Sequence, residues 1–143
     1  STTPSAPRAL CFATGSRDRT VKIWEVAANE SGGGRHVRCL CTLPKFLGAV
    51  TALDWSNDWS KGGRQLLAIG TEEGEVSVWA AALGEEGSAE GWVQAACLEP
   101  DYAHAGAVHR LLFRPEGPWS KEGGVQLASG GADHTVRVFD VCV

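Results

Sequence analysis

Ala13–Trp24 reads ATGSRDRTVKIW, Ala68–Trp79 reads AIGTEEGEVSVW and Ala128–Phe139 reads ASGGADHTVRVF. The three align without a gap. Each passes from a small-residue strand end through a tight turn into an alternating, β-branched strand that stops on an aromatic. The turn carries Asp18, Glu73 or Asp133, a carboxylate that can accept backbone N–H groups. A second element recurs upstream, as GAVTALDW from Gly48 and GAVHRLLF from Gly106, and each copy predicts another short strand. The connections recur as well: WSKGGRQL begins at Trp59, and WSKEGGVQL begins at Trp119 with one extra residue, Glu122. Counted from Ala13, Ala68 and Ala128, the period is near 55 to 60 residues. The Ala-rich stretch Ala80–Ala89 has no apolar stripe and is broken by Gly84 and Gly87. Several short strands at a fixed period predict a radial array of sheets, not a helical solenoid.

The chain of 143 residues fits one domain. Hydrophobic residues at 43% and charged residues at 21% are ordinary globular usage and exclude disorder throughout. A membrane helix needs about 20 apolar residues, whereas runs such as VWAAAL are far shorter, so no membrane partner is expected. The net charge of -4 argues against a dedicated nucleic-acid binder. The five cysteines (Cys11, Cys39, Cys41, Cys97 and Cys142) are odd in number and scattered, and no His pair stands at zinc spacing. On a regular strand Cys39 and Cys41 would share a face. Small buried thiols in a reducing compartment are expected, with no metal and no cofactor. STTPSAPRAL lacks a charged region followed by an apolar one and does not read as a secretory signal. An intracellular protein is therefore expected, in the cytoplasm and also in the nucleus.

From about Leu10 onward these residues resemble the WD-repeat β-propeller family. That family ends the third strand of each blade in Trp-Asp; here the corresponding residues are Trp24-Glu25, Trp79-Ala80 and Phe139-Asp140. It pins each blade with a hydrogen-bonded tetrad of His, Ser or Thr, Asp and Trp. The resemblance places that tetrad on His104, Ser129, Asp133 and Phe139 in the last blade, where Phe139 has no indole N–H to give. In the first blade it places Thr14, Asp18 and Trp24, with the His position falling before Ser1. The middle blade has Ile69 and Glu73 where Ser or Thr and Asp belong, so its tetrad is lost.

The fold class expected is all-β: about two and a half four-stranded antiparallel blades of a WD-repeat propeller, forming an incomplete ring. A partial blade covers residues 10–47, a full blade 48–98, and a final blade lacking its fourth strand 106–143. A ring needs about 4–8 blades, so the chain is read as the C-terminal portion of a longer propeller. Within the family, FATGSRDRTVKIW, LPKFLGAVTALDW, LEPDYAHAGAVHRLLFRP and the terminal ASGGADHTVRVF are similar to the end of the Elongator second-subunit branch. That resemblance implies a non-catalytic scaffold whose partners are the other protein subunits of a complex acting on the wobble uridine of transfer RNA. A propeller of another complex, or one that contacts RNA, is the alternative.

His104, Ser129 and Asp133 are also the residue types of a hydrolase triad, yet there is no G-x-S-x-G and the Ser lies within a strand. No catalytic residue and no small-molecule substrate are expected. His109 and His134 read as packing or surface residues. SGGG at Ser31 is a linker, since no Lys-Ser/Thr follows it. Charge is uneven: residues 1–53 carry seven Lys/Arg against three acids, and residues 54–101 carry two against ten. Arg17 and Arg19 are candidates for contact with RNA or an acidic partner, although no aromatic interleaves them to stack a base. The long connections Ala27–His36, Ser56–Arg64, Ala80–Gly91 and Glu116–Gly124 all fall at one end of the blades. Trp59 and Trp119 sit in two of them, as candidate interface anchors or as caps on their own blades.

Overall fold

The computed structural model describes residues 10–29, 32–43, 46–56, 64–82, 91–115 and 124–142. These residues form ten strands and no helix. The first sheet holds β1 (Leu10–Gly15), β2 (Val21–Ala28) and β3 (Arg35–Leu43). The second holds β4 (Val50–Ser56), β5 (Arg64–Thr71), β6 (Val76–Ala82) and β7 (Val93–Leu98). The third holds β8 (Val108–Phe113), β9 (Gly124–Gly131) and β10 (Val136–Cys142). Every pair is antiparallel and joins strands consecutive in sequence.

The quoted repeat is a hairpin built the same way three times. Ser16 N donates to Thr20 O (3.1 Å), Thr71 N to Glu75 O (3.1 Å) and Gly131 N to Thr135 O (3.1 Å). Inside each loop the fourth residue donates back to the first: Arg19 N to Ser16 O, Gly74 N to Thr71 O, His134 N to Gly131 O. That fourth residue has positive φ in all three: Arg19 at 68°, Gly74 at 96° and His134 at 63°. A left-handed residue closing a three-residue hairpin loop matches the turn to the strand twist. Gly74 is required for a second reason, because a Cβ there would overlap the carbonyl oxygen of His104.

The irregularities repeat too. Register shifts fall between Val50 and Ala52 on β4 and between Val108 and Arg110 on β8. Others fall between Ile23 and Trp24 on β2 and between Val78 and Trp79 on β6. The bulge opposite Trp24 overturns the regular alternation expected for β3. Ile23 pairs with Cys41 and Trp24 with Cys39, so the two thiols lie on opposite faces. The expected long connection Ala27–His36 is also shortened, because β2 runs to Ala28 and β3 starts at Arg35. Asn29 organises what remains, with its N–H donating to Gly34 O, its Nδ2 to Gly33 O and its Oδ1 meeting His36 Nδ1.

Two apolar layers separate the sheets. Val21, Ile23, Leu43, Phe46, Leu67, Ile69 and Trp79 fill the first. Leu66, Val76, Val78, Val108, Leu111, Phe113 and Leu127 fill much of the second. Strand β5 serves both, which is why its LLAI run is apolar without alternation. Each fully buried aliphatic side chain contributes about 1.5–3 kcal/mol. Close approach depends on glycine. A Cβ on Gly15 would overlap Val50, and one on Gly70 would stand 2.6 Å from Val108 Cγ1. The aligned Gly130 meets nothing within 4 Å. On the same open side Val136 and Val138 are 77% and 65% exposed, whereas their counterparts Val76 and Val78 are 1% and 2% exposed.

Candidate functional site

The turn ends of the blades gather the polar chemistry. In the last sheet His104 is fully buried. Its Nδ1 lies 3.0 Å from Asp133 Oδ1 and its Nε2 lies 2.7 Å from Ser129 Oγ. With Nδ1–H donated to the carboxylate, Nε2 is left to accept the Ser129 O–H. Thr135, which sequence reading missed, joins them: its Oγ1 donates to Asp133 Oδ1 at 2.7 Å and lies 3.1 Å from His104 Nδ1. The Asp133 carboxylate also accepts the N–H groups of Ala105 (3.0 Å) and Thr135 (3.2 Å). Thr135 foremost, and then His104, hold the Asp133 carboxyl far below the usual carboxylate range. Phe139 pairs with Leu127 and adds no polar contact. Ser129 is 1% exposed and its oxygen is committed to His104, so the trio fastens a turn and presents no accessible nucleophile.

In the first sheet Trp24 Nε1 donates to Thr14 Oγ1 at 2.8 Å. Asp18 is not part of that pair. Its Oδ1 accepts from Thr20 N (3.0 Å) and Thr20 Oγ1 (2.6 Å), and Thr20 first, then Ser16, hold its carboxyl below the usual carboxylate range. Glu25, where the family motif has Asp, is buried and accepts from Arg38 Nε at 2.7 Å.

The middle sheet replaces the polar pin with an apolar one. Alignment of Gly48 with Gly106 puts Phe46 where the last sheet has His104. Phe46 and Trp79 meet edge to face at 6.0 Å between ring centroids, and Ile69 lies in the same cluster. Such an aromatic pair contributes about 0.5–1.5 kcal/mol beyond its area. The Trp79 N–H goes to Ser77 Oγ at 3.2 Å, and Ser77 is the cross-strand partner of Ile69. The hydroxyl has thus moved across the ladder onto β6. Sequence reading missed both: Phe46 stands at the His104 spacing but is apolar, and Ser77 falls where the other copies have Lys22 and Arg137.

Adjacent sheets are latched through their backbones. Phe46 N donates to Arg19 O (2.9 Å) and His104 N donates to Gly74 O (3.3 Å), two equivalent bonds one repeat apart. Side chains add Asp54 Oδ2, which accepts Phe113 N at 2.7 Å, and Thr51 Oγ1, which donates to Val108 O at 2.5 Å.

Among the remaining candidates, Arg17 and Arg19 are exposed on the first turn, and His109 and His134 are exposed. Trp59 and Trp119 lie outside the described residues, as does most of the long-connection end. Cys11, Cys39, Cys41 and Cys97 are free thiols. Burial first raises those of Cys11, Cys41 and Cys97, the direction of an unreactive cysteine. No helix among the described residues is long and apolar enough to cross a membrane.

The family model described as "WD domain, G-beta repeat" matches residues 4–25 and 95–140. Those two stretches are WD repeats. The two matched stretches carry the Thr14–Trp24 pair and the His104 network, and the sheet with the apolar pin lies between them. Elongator complex protein 2 of Arabidopsis thaliana is 36% identical over 132 residues, covering 90% of this chain and 15% of that protein. The Danio rerio protein of the same name is 34% identical over 145 residues, covering 91% of this chain and 18% of the relative. The WD-repeat chain therefore spans under a fifth of the length of these curated relatives. In fold it is similar to the crystal structure of Chaetomium thermophilum Sqt1 bound to the N-terminus of the ribosomal protein L10. That likeness has a TM-score of 0.60 at 18% identity, over 90% of this chain and 29% of the other.

Proposed function

We propose that the chain is part of a non-catalytic WD-repeat scaffold: the second subunit of an Elongator complex, acting in the modification of transfer RNA wobble uridine from the cytoplasm and also the nucleus. The observation that carries this reading is the likeness to proteins named Elongator complex protein 2 in plant and fish over nine-tenths of the chain. The site chemistry is consistent with it. In the His104–Ser129–Asp133 constellation the His and Ser are buried, and each side-chain polar group bonds to another member or to Thr135 and the backbone beside it. Its work is to hold sheets in a fixed relation, as a scaffold must. Purification of the tagged full-length protein under native conditions tests the reading. A fixed set of co-purifying subunits, and loss of wobble-uridine modification when the gene is deleted, are expected. Recovery of the intact, folded protein as a free monomer overturns it.

A second reading has one observation behind it: Arg17 and Arg19 stand exposed on the first turn. If they contact RNA, charge reversal at both abolishes a salt-sensitive affinity of the full-length protein for transfer RNA. An unchanged affinity and salt slope removes this alternative.

A further inference from the structure

The middle turn differs from its two copies in charge. Ser16–Thr20 and Gly131–Thr135 each hold one acid, whereas Thr71–Glu75 holds Glu72, Glu73 and Glu75. At the position of Glu75 the other turns have Thr20 and Thr135, which bond to Asp18 and Asp133. Glu75 has no such partner. It is 7% exposed, and its carboxyl makes no hydrogen bond or ion pair among the described residues. It lies one residue beyond the Val76–Leu98 pair that ends the β6–β7 ladder, which sets it against Glu99. Burial first, and then the charge of Glu99, push the Glu75 carboxyl upward. The thiol of Cys97, on β7, feels both carboxylates.

Like charges facing across a ladder are destabilising, and so is a buried carboxylate without a partner. The local backbone does nothing to separate the two. Glu99 O accepts Tyr102 N (2.9 Å) and Ala103 N (3.0 Å), which fixes the turn that bears Glu99, Asp101 and the exposed Tyr102. The His104 N to Gly74 O bond ties that turn to the Glu72–Glu75 turn. The result is a rigid pair of acceptors, one sunken and one exposed, with no cation of this chain's described residues beside it. The ion pair among the described residues, Arg38–Glu25, is elsewhere, and the His104 side chain is committed to Asp133 and Ser129. No group of three His, Cys, Asp or Glu among the described residues is placed to hold a metal ion. A guanidinium or ammonium group needs fewer protein ligands, since it brings its own donors to two acceptors.

We propose that Glu75 and Glu99 form a seat for an arginine or lysine side chain of a partner polypeptide, at the turn end of the middle sheet. The seat is independent of which complex the chain belongs to. A fluorescein-labelled peptide of alternating arginine and glycine, titrated with the full-length protein at low ionic strength and read by anisotropy, tests it. Glu75→Gln and Glu99→Gln are each expected to weaken binding on the order of tenfold, as loss of one charged hydrogen-bond partner does. The control pair Glu72→Gln with Glu73→Gln leaves it within about twofold, the level of screened surface charge. Glu75→Gln also raises the thermal midpoint at neutral pH, because it removes one of two like charges facing across the ladder, so weaker binding cannot be ascribed to unfolding. Wild-type protein that binds no peptide, variants that bind like wild type, or a control pair that weakens binding equally would each overturn the proposal. So would calcium stabilising the wild type and not Glu75→Gln while the peptide stays free.

Discussion

Ser129 has one partner, and removing it shows what the buried network holds. In Ser129→Ala the His104 Nε2 is left buried without a donor. The cost expected is about 1–3 kcal/mol, measured by chemical denaturation of the full-length protein. Asp133 makes the network sensitive to acid. Its folded-state carboxyl lies below the ordinary 3.8, so its contribution is complete above that value and is lost as pH falls below it. Asp133→Asn should flatten that part of the stability-versus-pH curve and lower the plateau at neutral pH. The resemblance to WD repeats pointed to His104, Ser129 and Asp133 before their bonds were seen. Thr135 was not legible in the sequence, although its aligned copy Thr20 makes the same bond to Asp18. Ser77 was hidden for another reason: it holds Trp79 from two residues away on the same strand, whereas in the first sheet the hydroxyl comes from the facing strand, as Thr14.

At the scale of the strand and turn, two kinds of pin serve equivalent places. The last turn is fastened by ionised and hydroxyl groups, the middle one by Phe46, Ile69 and Trp79. The replacements belong together, since a histidine at 46 facing Ile69 would lack the hydroxyl it needs. Phe46→His alone is therefore expected to destabilise the full-length protein, and Ile69→Ser in the same molecule to recover part of the loss. The coupling expected from a double-mutant cycle is about 0.5–3 kcal/mol; additive effects would mean the positions act independently. Most element boundaries were readable from alternation and turn chemistry, but β2 runs to Ala28 and β6 to Ala82, into the connections expected there. The bulges were not, because an extra residue in one strand is set by the ladder beside it. That is why Cys39 and Cys41 part company despite a spacing of two.

Over the whole molecule, the three sheets are stacked by side chains that enter one another's backbone: Val50 against Gly15 and Val108 against Gly70. The third position in that series, Gly130, is open, and Val136 and Val138 beside it face outward. Apolar surface of this kind promotes association. Val136→Lys with Val138→Lys is expected to suppress self-association of the 143-residue chain, read by light scattering across a concentration series. Unchanged scattering would place the sticky surface elsewhere. The repeat and its fold class could be read from the sequence at this scale; the layers between sheets could not, since β5 faces two ways at once. The joints between sheets carry a last consequence. Arg19 to Phe46 and Gly74 to His104 are unions of peptide groups, which every residue but proline possesses. Descendants of one ancestral repeat can therefore trade histidine for phenylalanine, or serine for isoleucine, without coming apart from their neighbours. Divergence among the copies is tolerated where the assembly is written in the main chain, and glycine is demanded where one copy must admit the next one's carbonyl or valine.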